Sequence, residues 1–130
     1  MADLRKMQVT DHVLRVEIDD PGDRRIENPE GVIRGWFAAR DMEIQETFRF
    51  RIDGLKLPHR VVRRDDVELV MPGHLIVGFE IPYDLLFYLP YIQNNRLTIE
   101  MILPNYDTLS FRFQIAETAL AMCVSAAGGV

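Results

Sequence analysis

Ile44-Gln45-Glu46-Thr47-Phe48-Arg49-Phe50-Arg51-Ile52, followed by Asp53-Gly54 and then Leu55-Lys56-Leu57, carries the plainest β-strand signal in the chain. Phe48, Phe50 and Ile52 alternate with Thr47, Arg49 and Arg51. A period of two places the apolar set on one face of a strand and the polar set on the other. Asp-Gly tolerates positive φ at both central positions of a tight turn, so the chain reverses there. Leu55-Lys56-Leu57 then returns as the second strand of a hairpin, ending at Pro58.

The same test, carried outward, gives strands at Leu97 to Leu103 and Leu109 to Ile115, with Pro104-Asn105-Tyr106-Asp107-Thr108 between them as a second hairpin loop. Upstream, Val13 to Ile18 alternates with Leu14, Val16 and Ile18 inward, and runs into the turn-rich Asp19-Asp20-Pro21-Gly22-Asp23. Val32 to Ala39 is apolar on both faces, as in a strand covered on both sides, which puts Trp36 in the core. Leu75 to Ile81 is the remaining strand, stopped by Pro82, and only Asp65 to Met71 and Tyr83 to Tyr88 read as helical.

About seven short strands with turn signals between them predict an all-β chain, an immunoglobulin-like antiparallel β-sandwich with one or two short helical turns. A small closed barrel is the alternative. The sandwich occupies 1–117 as a single domain, and 118–130, rich in small residues and finishing Ala-Ala-Gly-Gly-Val, reads as a linker-like or docking tail.

A length of 130 residues supports one core rather than two. The balance of 15 Lys+Arg against 20 Asp+Glu, a net charge of -5, argues against nucleic acid as a partner, because phosphate-backbone binding needs a basic face. One Cys, no Asn-x-Ser/Thr acceptor, no charged-then-apolar leader and no long apolar run lead to the expectation of a cytoplasmic protein without a membrane span.

Catalytic chemistry finds little to work with. Ser110 lies mid-strand, Ser125 and Cys123 lie in the tail, and no Gly-x-Ser-x-Gly turn occurs. His12, His59 and His74 are far apart, and the acidic loop of Asp19, Asp20, Asp23 and Glu27 lacks calcium-loop spacing and is interrupted by Arg24 and Arg25. The expectation is no catalytic residue, no metal and no cofactor. A chance pairing of His59 with Asp65 or Asp66 is the remaining enzymatic alternative; without a group to orient the base it is weak.

Two surfaces stand out as ligand or partner candidates. His59, Arg60, Arg63 and Arg64 gather positive charge on an acidic chain, and arginine forks match carboxylate or phosphate, although balance with Asp65, Asp66 and Glu68 is the simpler account. Tyr83, Phe87, Tyr88 and Tyr91 offer rings with polar tips, suited to a sugar face or a protein hot spot. The simpler account there is a cap on one end of the sandwich, with Leu86 and Phe87 inward.

The order Gly31-Val32-Ile33-Arg34-Gly35-Trp36, Asp53-Gly54, Arg63-Arg64-Asp65-Asp66-Val67, Pro72 and Val77-Gly78-Phe79 resembles small β-sandwich modules found beside bacterial glycosyltransferase and methyltransferase domains. The likeness covers about residues 31–81, and it departs from the pattern at Asp65, where proline is usual, and at Val77, where a small residue is usual. The resemblance implies a non-catalytic accessory domain in cell-surface polysaccharide synthesis, which recognises a saccharide or positions a neighbouring transferase. A protein-interaction module, including a homodimer formed through edge strands or the aromatic segment, is the competing expectation.

Overall fold

The computed structural model describes residues 13–39, 48–103 and 108–128. In chain order the strands are β1 Val13–Asp20, β2 Arg25–Ile26, β3 Glu30–Ala39, β4 Arg49–Ile52, β5 Leu55–Leu57, β6 Arg60–Val62, β7 Leu75–Asp84, β8 Arg96–Ile102 and β9 Thr108–Ile115. The helices are α1 Asp65–Val70, α2 Leu85–Tyr88 and α3 Glu117–Gly128, with a 3-10 turn at Leu89–Tyr91. The strands form a four-stranded sheet in the order β1-β3-β7-β6 and a five-stranded sheet in the order β2-β9-β8-β4-β5. All the pairings are antiparallel except β2 with β9.

The chain is therefore mostly β. The two strands that the sequence pattern missed, β2 and β6, have two and three residues. A run that short cannot display an alternation; its pairing partner makes it a strand.

The first hairpin forms where its residues are described, with Ile44 to Thr47 outside that range. Phe48, Phe50 and Ile52 are buried while Arg49 is exposed. Ile52 pairs with Leu55 across a two-residue turn in which Asp53 has φ 52°, the left-handed conformation that this turn demands. β8 and β9 pair from Arg96 opposite Gln114 to Ile102 opposite Thr108, the loop at 104–107 lying outside the described residues.

Both sheets contribute to one apolar core. The four-stranded sheet turns in Val16, Ile18, Ile33, Phe37, Val77, Phe79 and Ile81, and the five-stranded sheet Phe50, Ile52, Leu97, Ile99, Phe111 and Phe113. Phe50 and Phe79 meet between the sheets with ring centroids 4.9 Å apart, and Phe48 meets Phe37 edge-on at 5.1 Å. Burying each such ring contributes on the order of 1.5–3 kcal/mol, so this aromatic seam is a main source of cohesion between the layers. Gly35 makes it possible, because a Cβ there would lie 2.6 Å from both the Glu17 carbonyl oxygen and the Phe79 ring.

The expectation for Trp36 is refined, and three further local expectations are corrected. Trp36 is buried, but on the outward face of the four-stranded sheet, in a second cluster with Ala38, Val67 and Ile76; α1 covers it there through Val67. Pro82 does not stop β7, which continues to Asp84: β6 reaches only Gly78 to Glu80, and a sheet accepts proline beside a free edge. In α2 it is Leu85 and Tyr88 that are buried, while Leu86 and Phe87 are exposed. The phase is set by Leu85 N–H donating to the Pro29 carbonyl at 2.8 Å and Leu86 N–H donating to the Asp84 carboxylate at 3.0 Å. Finally, the stretch that reads as linker-like begins as α3, whose Ala119 and Cys123 are buried in the main core. Small residues there permit close packing against the domain.

Candidate functional site

The outward faces of the two sheets differ in how they handle charge. On the four-stranded sheet a single row crosses all four strands. Asp20 of β1 lies opposite Arg34 of β3, Arg34 opposite Glu80 of β7, and Glu80 opposite Arg60 of β6. The signs alternate, and the ion pairs are 3.2 Å for Arg34 to Asp20, 3.1 Å for Arg34 to Glu80 and 2.8 Å for Arg60 to Glu80. Cross-strand register thus turns sequence-distant charges into a ladder.

Arg64 is fixed beside that ladder. Its stem lies over Gly78, where a Cβ would come within 2.4 Å of it, and its guanidinium is held by Asp66 at 2.9 Å and by Asp19. The hydrogen bonds to Asp66 and Asp19 raise the Arg64 pKa, and Arg64 in turn draws Asp66 down to about 2. Arg63 pairs with Asp65 at 2.5 Å. Each of the three arginines of the expected basic patch therefore has an acidic neighbour.

His59 does not join them. Its ring packs against Phe48 at 4.8 Å and Phe50 at 5.3 Å, and its pKa is lowered first by burial and then by Lys56. It serves the seam between the sheets.

The aromatic candidates are also dispersed. Tyr83 donates from its hydroxyl to the Asn28 carbonyl at 3.2 Å and lies against Gly31, at a groove of about 420 Å³ shared with Asp20, Asp23 and Glu30. Burial, followed by Asp20, raises its pKa. Tyr88 is buried, Phe87 is 69% exposed, and Tyr91 stands at a different groove. They do not form one platform.

That second groove, of about 600 Å³, is the larger of the two and lies on the outward face of the five-stranded sheet. Arg96, Thr98 and Glu100 of β8 with Arg112 of β9 form its floor, Pro90, Tyr91, Gln93 and Asn94 one wall, and Ile52 and Asp53 the other end. The wall is set by a two-residue turn. Gln93 and Arg96 exchange both backbone hydrogen bonds, at 3.1 and 2.9 Å, and Asn94 and Asn95 between them have φ 53° and 59°. Asparagine is among the few non-glycine residues that enter this region readily.

Glu100 is engaged by Arg51 at 3.2 Å, whereas Arg96 and Arg112 have no ion-pair partner among the described residues. Lys56 lies opposite Arg51 and adds a further cation to the same face. Sequence reasoning missed this groove. Asn94-Asn95 was a turn signal, and the alternation Arg96, Thr98, Glu100 was legible, but the wall comes from the aromatic segment and the far end from the first hairpin.

Cys123 is buried, and its pKa is raised by that burial and by Asp84 and Glu30, away from the reactive thiolate. Among the described residues there is no group of three or more His, Cys, Asp or Glu placed to hold a metal ion, and no helix is long and apolar enough to cross a membrane. Comparison with family models, with curated proteins and with solved structures gives no match.

Proposed function

We propose that this chain is a non-catalytic accessory module of bacterial cell-surface glycan synthesis, an immunoglobulin-like sandwich of the cytoplasm that recognises a saccharide and so positions a transferase domain. The observation that carries the reading is the groove over β8 and β9. It sets a tyrosine ring, two side-chain amides and a threonine hydroxyl beside arginine forks, a combination that suits the polar edges and apolar faces of sugars. Its volume falls within the range of small-ligand sites. The order of motifs over residues 31–81 supplies the glycan context.

The test is titration of the domain with neutral and charged bacterial oligosaccharides, following backbone amide shifts. Shifts clustered at Tyr91, Asn94, Thr98 and Arg112 are expected at millimolar sugar, and silence for every sugar overturns the recognition role. Trp36 lies on the outward face of the other sheet, so its fluorescence is expected to stay constant and serves as the control.

Protein interaction is the second reading. It rests on Leu86 and Phe87 of α2 and Met122 and Val124 of α3, which are 40%, 69%, 50% and 60% exposed. Sedimentation over a range of concentrations separates the two, because a chain that stays monomeric leaves the homodimer without support.

A further inference from the structure

Resting on the saccharide reading, we infer that the groove over β8 and β9 selects an anionic sugar, a uronic acid whose carboxylate is held between Arg96 and Arg112. Arg49, Arg51, Lys56, Arg96 and Arg112 all occupy outward positions of the five-stranded sheet, alternating with buried residues. Glu100 is the acid in their midst, and Arg51 engages it. On a chain of net charge -5 this is a local reversal of sign.

Position sharpens the point. Arg112 pairs with Thr98 and Arg96 with Gln114, so Arg96 and Arg112 are diagonal neighbours on adjacent strands. Diagonal Cα atoms in an antiparallel pair are about 7–8 Å apart, a separation across which two long forks can converge on one carboxylate. Their common neighbour Thr98 offers a hydroxyl between them.

Charge alone would suit any polyanion. The groove is closed on one side by Pro90, Tyr91, Gln93 and Asn94, and bears Asp53 at its end. A single ring with hydroxyls to satisfy those amides matches this enclosure, whereas an extended phosphate backbone would meet the Asp53 and Glu100 carboxylates along its track.

Digalacturonate, neutral digalactose of the same linkage, and a short oligothymidylate are the probes, titrated into the wild-type chain and into Arg112→Gln and Arg112→Lys. Digalacturonate is expected to bind at least about tenfold more tightly than digalactose, as loss of a charge-assisted hydrogen bond implies. Arg112→Gln is expected to remove that preference, and Arg112→Lys to restore it in part. Arg112 is exposed and has no ion-pair partner among the described residues, so an unchanged amide spectrum away from the groove verifies the fold of each variant.

Equal binding of the two sugars overturns the anionic selectivity and leaves the saccharide reading standing. Binding of neither sugar overturns the anionic selectivity, and only silence across the wider saccharide set overturns the recognition reading as well. Oligothymidylate binding as tightly as digalacturonate makes the surface a general polyanion site and overturns the inference.

Discussion

On the four-stranded sheet Arg34 and Arg60 share Glu80, with Asp20 closing the row, and Arg64 is clasped by Asp66 and Asp19. On the five-stranded sheet Arg51 is engaged by Glu100 and Arg25 by Glu27, while Arg96 and Arg112, without an ion-pair partner among the described residues, face a groove. The two sheets share a core and a pattern of alternation, so the difference is not one of secondary structure. It lies in what each outward face is covered by. One is covered by α1 and by its own ion pairs; the other carries an open groove.

The two outward faces are expected to differ most at Trp36. Trp36→Ala empties the space that α1 covers and is predicted to cost about 3–5 kcal/mol in urea unfolding. An equivalent truncation in the groove, Tyr91→Ala, is predicted to cost clearly less, since Tyr91 is only half-buried. Equal losses at the two positions would mean that the groove wall is as structural as the α1 cluster.

The next effect concerns the seam. Burial and Lys56 hold the His59 pKa below 6.5, so the folded state resists protonation that the unfolded chain accepts. Stability is therefore full above about pH 6.5 and declines as pH falls below it. His59→Phe is expected to flatten that decline in urea midpoints measured between about pH 7.5 and 5.5. A wild-type midpoint that stays constant across this window would contradict the seam's role.

The smallest effects separate the faces by charge. Glu80→Gln weakens two exposed ion pairs at once and is predicted to cost roughly 0.5–1 kcal/mol at low salt, a difference that shrinks at high salt. Arg96→Gln, without an ion-pair partner to lose among the described residues, is predicted to stay within about 0.5 kcal/mol of wild type at any salt. A salt-sensitive loss for Arg96→Gln would reveal a structural partner and equalise the two faces.

Much of the layer structure was legible in the residues. Phe48, Phe50 and Ile52 against Arg49, or Leu109, Phe111 and Phe113 against Ser110 and Arg112, state which side of a strand is wet. Trp36 shows the boundary of that legibility. A strand apolar on both faces says that both are covered, and whether the main core or a helix covers Trp36 depends on where α1 docks. The segment from Tyr83 to Tyr91 was less readable still, because a rotation of one residue, imposed by Asp84 and the Pro29 carbonyl, exchanges Leu86 and Phe87 for Leu85 and Tyr88.

The period-two strands, the Asp53-Gly54 reversal and the mostly β character can be read from the residues, because they depend on neighbours within a few positions of one another. The long-range partners emerged in the folded chain: Glu80 meets Arg34 and Asp19 meets Arg64 through strand pairing and packing 45 or 46 residues apart. Hydrophobic alternation is a local code for facing inward. The pairs two residues apart, Arg63 with Asp65 and Arg64 with Asp66, can be read locally, whereas pairing across strands is set by register between distant segments and leaves no local pattern.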